Sequence, residues 1–171
     1  MKVTLEALLP RLGVYEFQVI AFQGVSDLER SLVRRIRGWR DPRARFLVIR
    51  DNDNGDCRAR KERLNSLIEK AGGCRPVKIR IVMQELEAWF LGDPEALEAA
   101  GLLKPGKRPR SLEEPEMKRR PVDVLRTLDR SYQKGIGARR IAPHLDPERS
   151  QATSMTNTIS AIRELAASTG V

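Results

Sequence analysis

Apolar positions change period several times along the chain, and each change marks an element. From Met1 to Leu12, Val3, Leu5, Leu8, Leu9 and Leu12 recur at roughly helical spacing, predicting an amphipathic helix closed by Pro10 and Gly13. Residues 17–22 (Phe-Gln-Val-Ile-Ala-Phe) are short and rich in β-formers, so a strand is expected there. Ser26-Asp27-Leu28-Glu29 has the spacing of a capping box, in which Ser26 caps the Glu29 amide and Glu29 reaches back. The helix it opens should run to about Trp39. Its stripe is Leu28, Leu32, Val33, Ile36 and Trp39, its other face carries Arg30, Arg34, Arg35 and Arg37, and Asp41-Pro42 stops it.

Residues 46–49 form an unbroken apolar run, the pattern of a strand buried on both faces of a parallel sheet. A turn over residues 50–56 follows, then a helix from about Cys57 to Ala71 that buries Leu64, Leu67 and Ile68 and stops at Gly72-Gly73. Val77, Ile79 and Ile81 alternate with Lys78 and Arg80, which predicts a strand to Met83 with one face partly wet. A helix is expected over residues 84–91, and Asp93-Pro94-Glu95 opens another with Pro94 at its first position. Helix and strand alternate three times, the arrangement of an open parallel α/β sheet with right-handed crossovers.

The alternation then fails. Residues 103–121 hold Pro105, Pro109, Pro115 and Pro121 among Lys104, Lys107, Arg108, Arg110, Lys118, Arg119 and Arg120, a basic loop. Helices are expected near 122–130, 138–144 and 153–167, the last with Met155, Ile159, Ile162, Leu165 and Ala166 in phase. With no internal repeat and no second core in the pattern, the chain reads as a single domain. Residues 1–102 are its α/β core, 103–121 the basic loop and 122–171 a helical C-terminal annex.

Composition narrows the function classes. At 171 residues, 40% hydrophobic and 32% charged, the chain is long enough for one sizeable core and is not disordered. No apolar run approaches the roughly 20 residues of a membrane helix, and Glu6 interrupts the opening apolar stretch, so neither a membrane partner nor a signal peptide is expected. A cytoplasmic protein is the expectation. Cys57 and Cys74 cannot make a disulfide framework or a four-ligand zinc site, and the single histidine, His144, has no activated nucleophile nearby in sequence. The formal net charge of +9 attracts polyanions, of which nucleic acid is the default. Arg34, Arg37, Lys107, Arg108, Lys118, Arg119 and Lys134 are the cations expected to contact it.

Candidate chemistry sits at Asp51-Asn52-Asp53. Open parallel sheets place their sites at the carboxyl ends of strands, and this tripeptide directly follows the most buried-looking one. Two carboxylates two residues apart on extended chain point the same way, and their repulsion invites Mg²⁺ or Mn²⁺. Glu85 and Glu87 follow the next strand; Glu85, closer to its end, is the expected further ligand or base, and Asp56 is in reach through the turn. Rival readings attach to the same acids. Asp53 or Asn54 could cap the next helix, and Glu87 could serve a helix dipole. A calcium loop with Glu62 at its twelfth position lacks the sixth-position glycine, because Asp56 stands there. Neither a P-loop nor a dinucleotide fingerprint occurs, and Gly135-Ile136-Gly137 is too short to carry meaning alone.

Several stretches together resemble a bacterial family of unknown function, domain of unknown function 4276, with a Toprim-like (topoisomerase–primase) core. They are Phe22-Gln23-Gly24 with Ser26-Asp27-Leu28; Asp51-Asn52-Asp53 with Asp56-Cys57-Arg58; Glu85-Leu86-Glu87-Ala88-Trp89-Phe90-Leu91-Gly92-Asp93; Tyr132-Gln133-Lys134; and residues 138–145. The resemblance implies a Toprim-like fold, Mg²⁺ held by an Asp-x-Asp at Asp51 and Asp53, and a neighbouring ATPase with a role in phage defence. It also implies a first strand ending in glutamate ahead of the opening helix. This sequence opens inside that helix, Glu6 lies too far along it to substitute, and a start assigned too late is the expected explanation, with a degenerate, inactive version as the alternative.

The expected function is Mg²⁺-dependent, nuclease-type phosphodiester cleavage of nucleic acid. Asp51 and Asp53 would hold the metal, and Glu85 or Glu87 would complete the shell or activate water. A non-catalytic basic module that binds nucleic acid or an ATPase is the alternative. A small-molecule phosphatase is a third, and there the basic loop would be irrelevant.

Overall fold

The structure, a computed structural model, describes residues 1–72 and 75–167. Its centre is a pair of parallel strands, β1 (Phe46–Asp51) and β2 (Val77–Val82), in register from Phe46 against Val77 to Asp51 against Val82. Helix α3 (Cys57–Lys70) makes the crossover between them. Before the sheet come α1 (Lys2–Leu8), a 3₁₀ turn at Pro10–Leu12 and α2 (Val25–Arg37). After it come α4 (Glu87–Leu91), α5 (Pro94–Ala99), α6 (Pro121–Leu128), α7 (Lys134–Ile141) and α8 (Thr153–Ala167). The α/β class with a small open parallel sheet stands.

Each face of the sheet is covered, and the apolar interior accordingly divides in two where the sequence pattern implied one core. Leu28, Leu32 and Ile36 of α2 and Leu64 and Leu67 of α3 pack on Val48 and Ile79. A larger cluster joins Leu8, Val82, Trp89, Phe90, Leu125, Ile141, Met155 and Ile159. The face expected to be partly wet is covered by α8 through polar groups. The Lys78 ammonium meets Glu164 Oε2 at 2.5 Å, and Arg80 Nε donates to the Asn157 carbonyl at 2.9 Å. Strand β2 thus keeps its alternation because one neighbour is oily and the other is polar.

Two local expectations are corrected. Residues 17–22 form no strand. A strand needs a ladder, and among the described residues β1 pairs only with β2. Tyr15 and Phe17 are exposed, while Phe22 packs beside the α2 cluster under the Arg35 guanidinium, 5.6 Å from its ring centroid. The capping box at Ser26 is also absent. Helix α2 begins at Val25 after Gly24 at φ 86°, and the carboxylate that reaches back is Asp27, which accepts from the Gln23 amide at 3.0 Å. Glu29 faces sideways to Arg50 and Arg63.

The annex is tied to the core by buried polar groups. Asp93 is fully enclosed, caps α5 at the Ala96 amide and accepts Arg149 Nε at 2.7 Å and Nη2 at 2.9 Å. Ser154 Oγ accepts from Trp89 Nε1 at 2.9 Å, and the Ser154 amide donates to Glu116 Oε1 at 2.7 Å. Among the described residues, no helix is long and apolar enough to cross a membrane. His144 is exposed, and Cys74 lies outside the described residues.

Candidate functional site

The ladder between β1 and β2 continues past the strands and fixes the acidic turn. The Asn52 amide donates to the Val82 carbonyl and the Asp53 amide to the Gln84 carbonyl, each at 2.9 Å. The chain then folds left-handed, at φ 48° for Asp53 and 57° for Asn54, a conformation that short Asx side chains tolerate best. Asn52 Nδ2 closes the turn onto the Gly55 carbonyl at 2.8 Å, and the Asn54 amide donates to Gln84 Oε1 at 2.9 Å. The pair of aspartates is therefore not the extended Asp-x-Asp expected, because the bend falls at Asp53. Nor does either cap α3. Asp56 does so, accepting from the Arg58 amide at 2.8 Å and the Ala59 amide at 3.2 Å. Asp51 and Asp53 are left clear of that role.

Asp51 stands where β1 gives out, with Oδ1 buried and without a hydrogen-bond partner. Burial, followed by the charges of Asp53 and Glu87, pushes its pKa up to about 6, while Lys134 and the amino group of Met1 pull the other way. Of the two following glutamates, Glu87 is thus the one that acts more strongly on Asp51. It is almost fully enclosed in the first turn of α4, unlike the exposed acid a helix-dipole role would imply. Glu85 accepts the Val122 amide at 3.4 Å.

Lys134 enters this group from the start of α7. Its Nζ lies 3.3 Å from Glu85 Oε1 and 3.5 Å from Glu87 Oε2, with half of its side chain exposed. Tyr132 sits beside it, 5% exposed, its enclosed hydroxyl turned toward Glu87. Burial, then the nearby charge of Glu87, holds the phenol well above its ordinary range. The ring rests on Gly137, where a Cβ would come within 2.0 Å of it. That close approach gives the Gly-Ile-Gly stretch a meaning its sequence alone did not carry.

The remaining expected cations fall in three places. Lys118 and Arg119 pass beside the acidic turn, since Asn54 Nδ2 donates to the Arg119 carbonyl at 3.0 Å. Arg108 is engaged with Glu95 and Glu98 on α5, and Lys107 is exposed next to it. Arg34 and Arg37 lie at the far rim. Arg37 donates to the Lys70 carbonyl at the end of α3, and Trp39, which lines a shallow pocket with Arg34 and Arg35, packs edge-on against Phe46 at the start of β1. The length of β1, roughly 17 Å, separates that rim from Asp51.

Two contributors had no role assigned from sequence. Arg50 is buried beneath the turn, 3.8 Å from Glu29, and burial holds its pKa below the usual arginine value. Tyr132 is the other: it stood in a family-like stretch with no role attached, and only folding sets it against an acid on α4. Among the described residues, no three acidic, histidine or cysteine side chains converge closely enough to hold a metal ion together.

A small parallel sheet with acids gathered at the carboxyl ends of its strands defines the class: an α/β domain with a carboxylate-lined rim. The chain belongs to the family described as Domain of unknown function (DUF4276), whose profile matches residues 2–158. No curated protein and no solved structure matches it.

Proposed function

We propose that the chain is a Toprim-like, divalent-metal-dependent hydrolase of nucleic-acid phosphodiesters. The observation that carries this reading is Asp51, a buried carboxylate with an orphaned oxygen and a raised pKa, beside Asp53 and Glu87. Such a group is costly to bury without a partner, and strongly perturbed acids concentrate at functional sites. The donors are carboxylate oxygens, the kind a hard cation takes, although among the described residues no three of them converge on one point. Asp51, Asp53 and Glu85 would hold Mg²⁺ or Mn²⁺, with Glu87 beside them. Such an ion, when bound, supplies positive charge that polarises a phosphoryl oxygen and steadies the leaving oxygen.

The chain's own groups perform the rest. Glu85 or Glu87 accepts a proton from the attacking water, and the Lys118–Arg119 segment, beside the turn, draws the phosphate backbone toward it. A partner ATPase and a role in phage defence belong to the same proposal and rest on the family resemblance alone. Replacing Asp51 by alanine should abolish Mg²⁺-dependent cleavage of single- or double-stranded substrates while circular dichroism remains unchanged. Cleavage at the wild-type rate in that variant would overturn the reading.

A specific observation favours a second reading. Lys134 already offsets part of the charge of Glu85 and Glu87, as in a basic module that binds polyanions without chemistry. That module would bind nucleic acid in a salt-sensitive, metal-independent manner.

A further inference from the structure

The far end of the strands carries a second concentration of charge, opposite in sign to the acidic rim. Residues 34–45 hold six arginines against one acid, Asp41. Asp41 is turned to Arg43, accepting its amide at 2.9 Å and its Nε at 3.4 Å. Arg37 and Arg45 are engaged on carbonyls, those of Lys70 and Leu165. Arg34, Arg35 and Arg40 are exposed and make no ion pair among the described residues. Beside them is an open pocket of about 260 Å³ lined by Arg34, Arg35, Gly38 and Trp39. Trp39 is held from two sides: its ring meets Phe46 edge-on with centroids 5.7 Å apart, and Arg75 Nη2 donates to its carbonyl at 2.7 Å. Arg35 is placed as well, its guanidinium 5.6 Å from the Phe22 ring centroid. A fixed, partly exposed ring among uncompensated guanidinium groups is the arrangement that takes a planar, anionic ligand.

We propose that this pocket binds single-stranded nucleic acid, with one unpaired base stacked on Trp39 and the adjoining phosphates on Arg34, Arg35 and Arg40. The pocket is smaller than the roughly 300–1,000 Å³ of sites that enclose a whole small molecule, so it suits one base of a strand that continues outside it. A duplex keeps its bases stacked inside and presents no free base face to the ring. A membrane anchor projects its aromatic ring into the lipid interface, whereas Trp39 is recessed as a pocket wall. Arginine is the cation for such a ligand, because its planar fork pairs with phosphate through two hydrogen bonds and lies flat on aromatic faces. The inference shares with the proposed function only the choice of nucleic acid. The pocket lies a strand's length from the acids and needs no cleavage there.

Trp39 reports its own contact, because the other tryptophan of the chain, Trp89, is fully enclosed. Titrating the full chain with a thymidine homopolymer of about ten nucleotides should quench the emission of Trp39, with fluorescence anisotropy giving the affinity alongside. Trp39→Leu should lose the quench and weaken binding roughly five- to tenfold, and Trp39→Phe should recover most of the affinity. Arg34→Gln with Arg35→Gln leaves the ring in place and should lower the slope of log affinity against log salt by up to about 1.4. A duplex of the same length, free thymidine monophosphate and mixed phosphatidylglycerol–phosphatidylcholine vesicles should leave the emission unchanged. Quenching by any of these three to the extent seen with the single strand overturns the inference. So does strand binding with wild-type affinity and salt slope in the double arginine variant. Absence of the quench while Asp51-dependent cleavage persists removes this inference and leaves the hydrolase reading standing.

Discussion

Asp51 shows how one residue can carry both a structural cost and a chemical use. Its ordinary pKa of 3.8 rises to about 6 on folding, through burial first and then the charges of Asp53 and Glu87. The sign follows from proton counting. Between these two values the folded chain holds a proton that the unfolded chain has lost, so this residue's contribution to stability is fully present below about pH 4. It declines as pH rises through 6, by on the order of 2–3 kcal/mol in the metal-free protein. Asp51→Asn cannot lose that proton. Urea unfolding at pH 4.5 and 7.5 should therefore show the variant gaining on wild type at the higher pH. A difference between the two proteins that does not change with pH would mean that Asp51 is not buried beside other acids. The aspartate was legible in sequence, since an acid after a buried strand is a local pattern. Its environment was not, because Glu87 and Lys134 reach it from segments distant along the chain.

Among the elements, α7 contributes more than a cover for the core. Its Gly137 lets the Tyr132 ring come close against the helix, with the hydroxyl toward Glu87. Gly137→Ala puts a methyl group where the ring now is. The expected cost is about 1–3 kcal/mol, read as a lowered denaturation midpoint, together with a changed near-ultraviolet signal from Tyr132. An unchanged midpoint and signal would show that the ring moves aside freely. Helix propensity and periodicity located α2, α3 and α8 to within a few residues, because those cues lie within the element itself. Residues 17–22 show the opposite case. Their composition suits a strand, but a strand exists only with a ladder partner, and β1 offers them none.

At the scale of the whole molecule, the excess of +9 is not spread evenly with respect to the acidic rim. Lys118 and Arg119 run beside it, whereas Arg34, Arg35 and Arg37 cluster at the other end of the strands. Paired alanine substitutions should separate the two groups. Lys118→Ala with Arg119→Ala should weaken oligonucleotide binding and reduce the slope of log affinity against log salt by up to about 2, one unit for each phosphate that is no longer neutralised. Arg34→Ala with Arg37→Ala should leave metal-dependent cleavage in place. Fluorescence anisotropy across a salt series measures the first, and a cleavage assay the second; a loss of cleavage from the far-rim pair would reverse the assignment.

The sequence alone determined the class of fold, the order of most elements and the position of Asp51 at a strand's end. Each follows from short-range physics: periodicity, capping and the break of an apolar run. Tertiary structure decided which acid caps α3, which glutamate faces Asp51, that Lys134 stands among the acids, and that residues 17–22 go unpaired. Those outcomes depend on Coulomb interactions and hydrogen-bond ladders between remote segments. No local window of residues contains both partners.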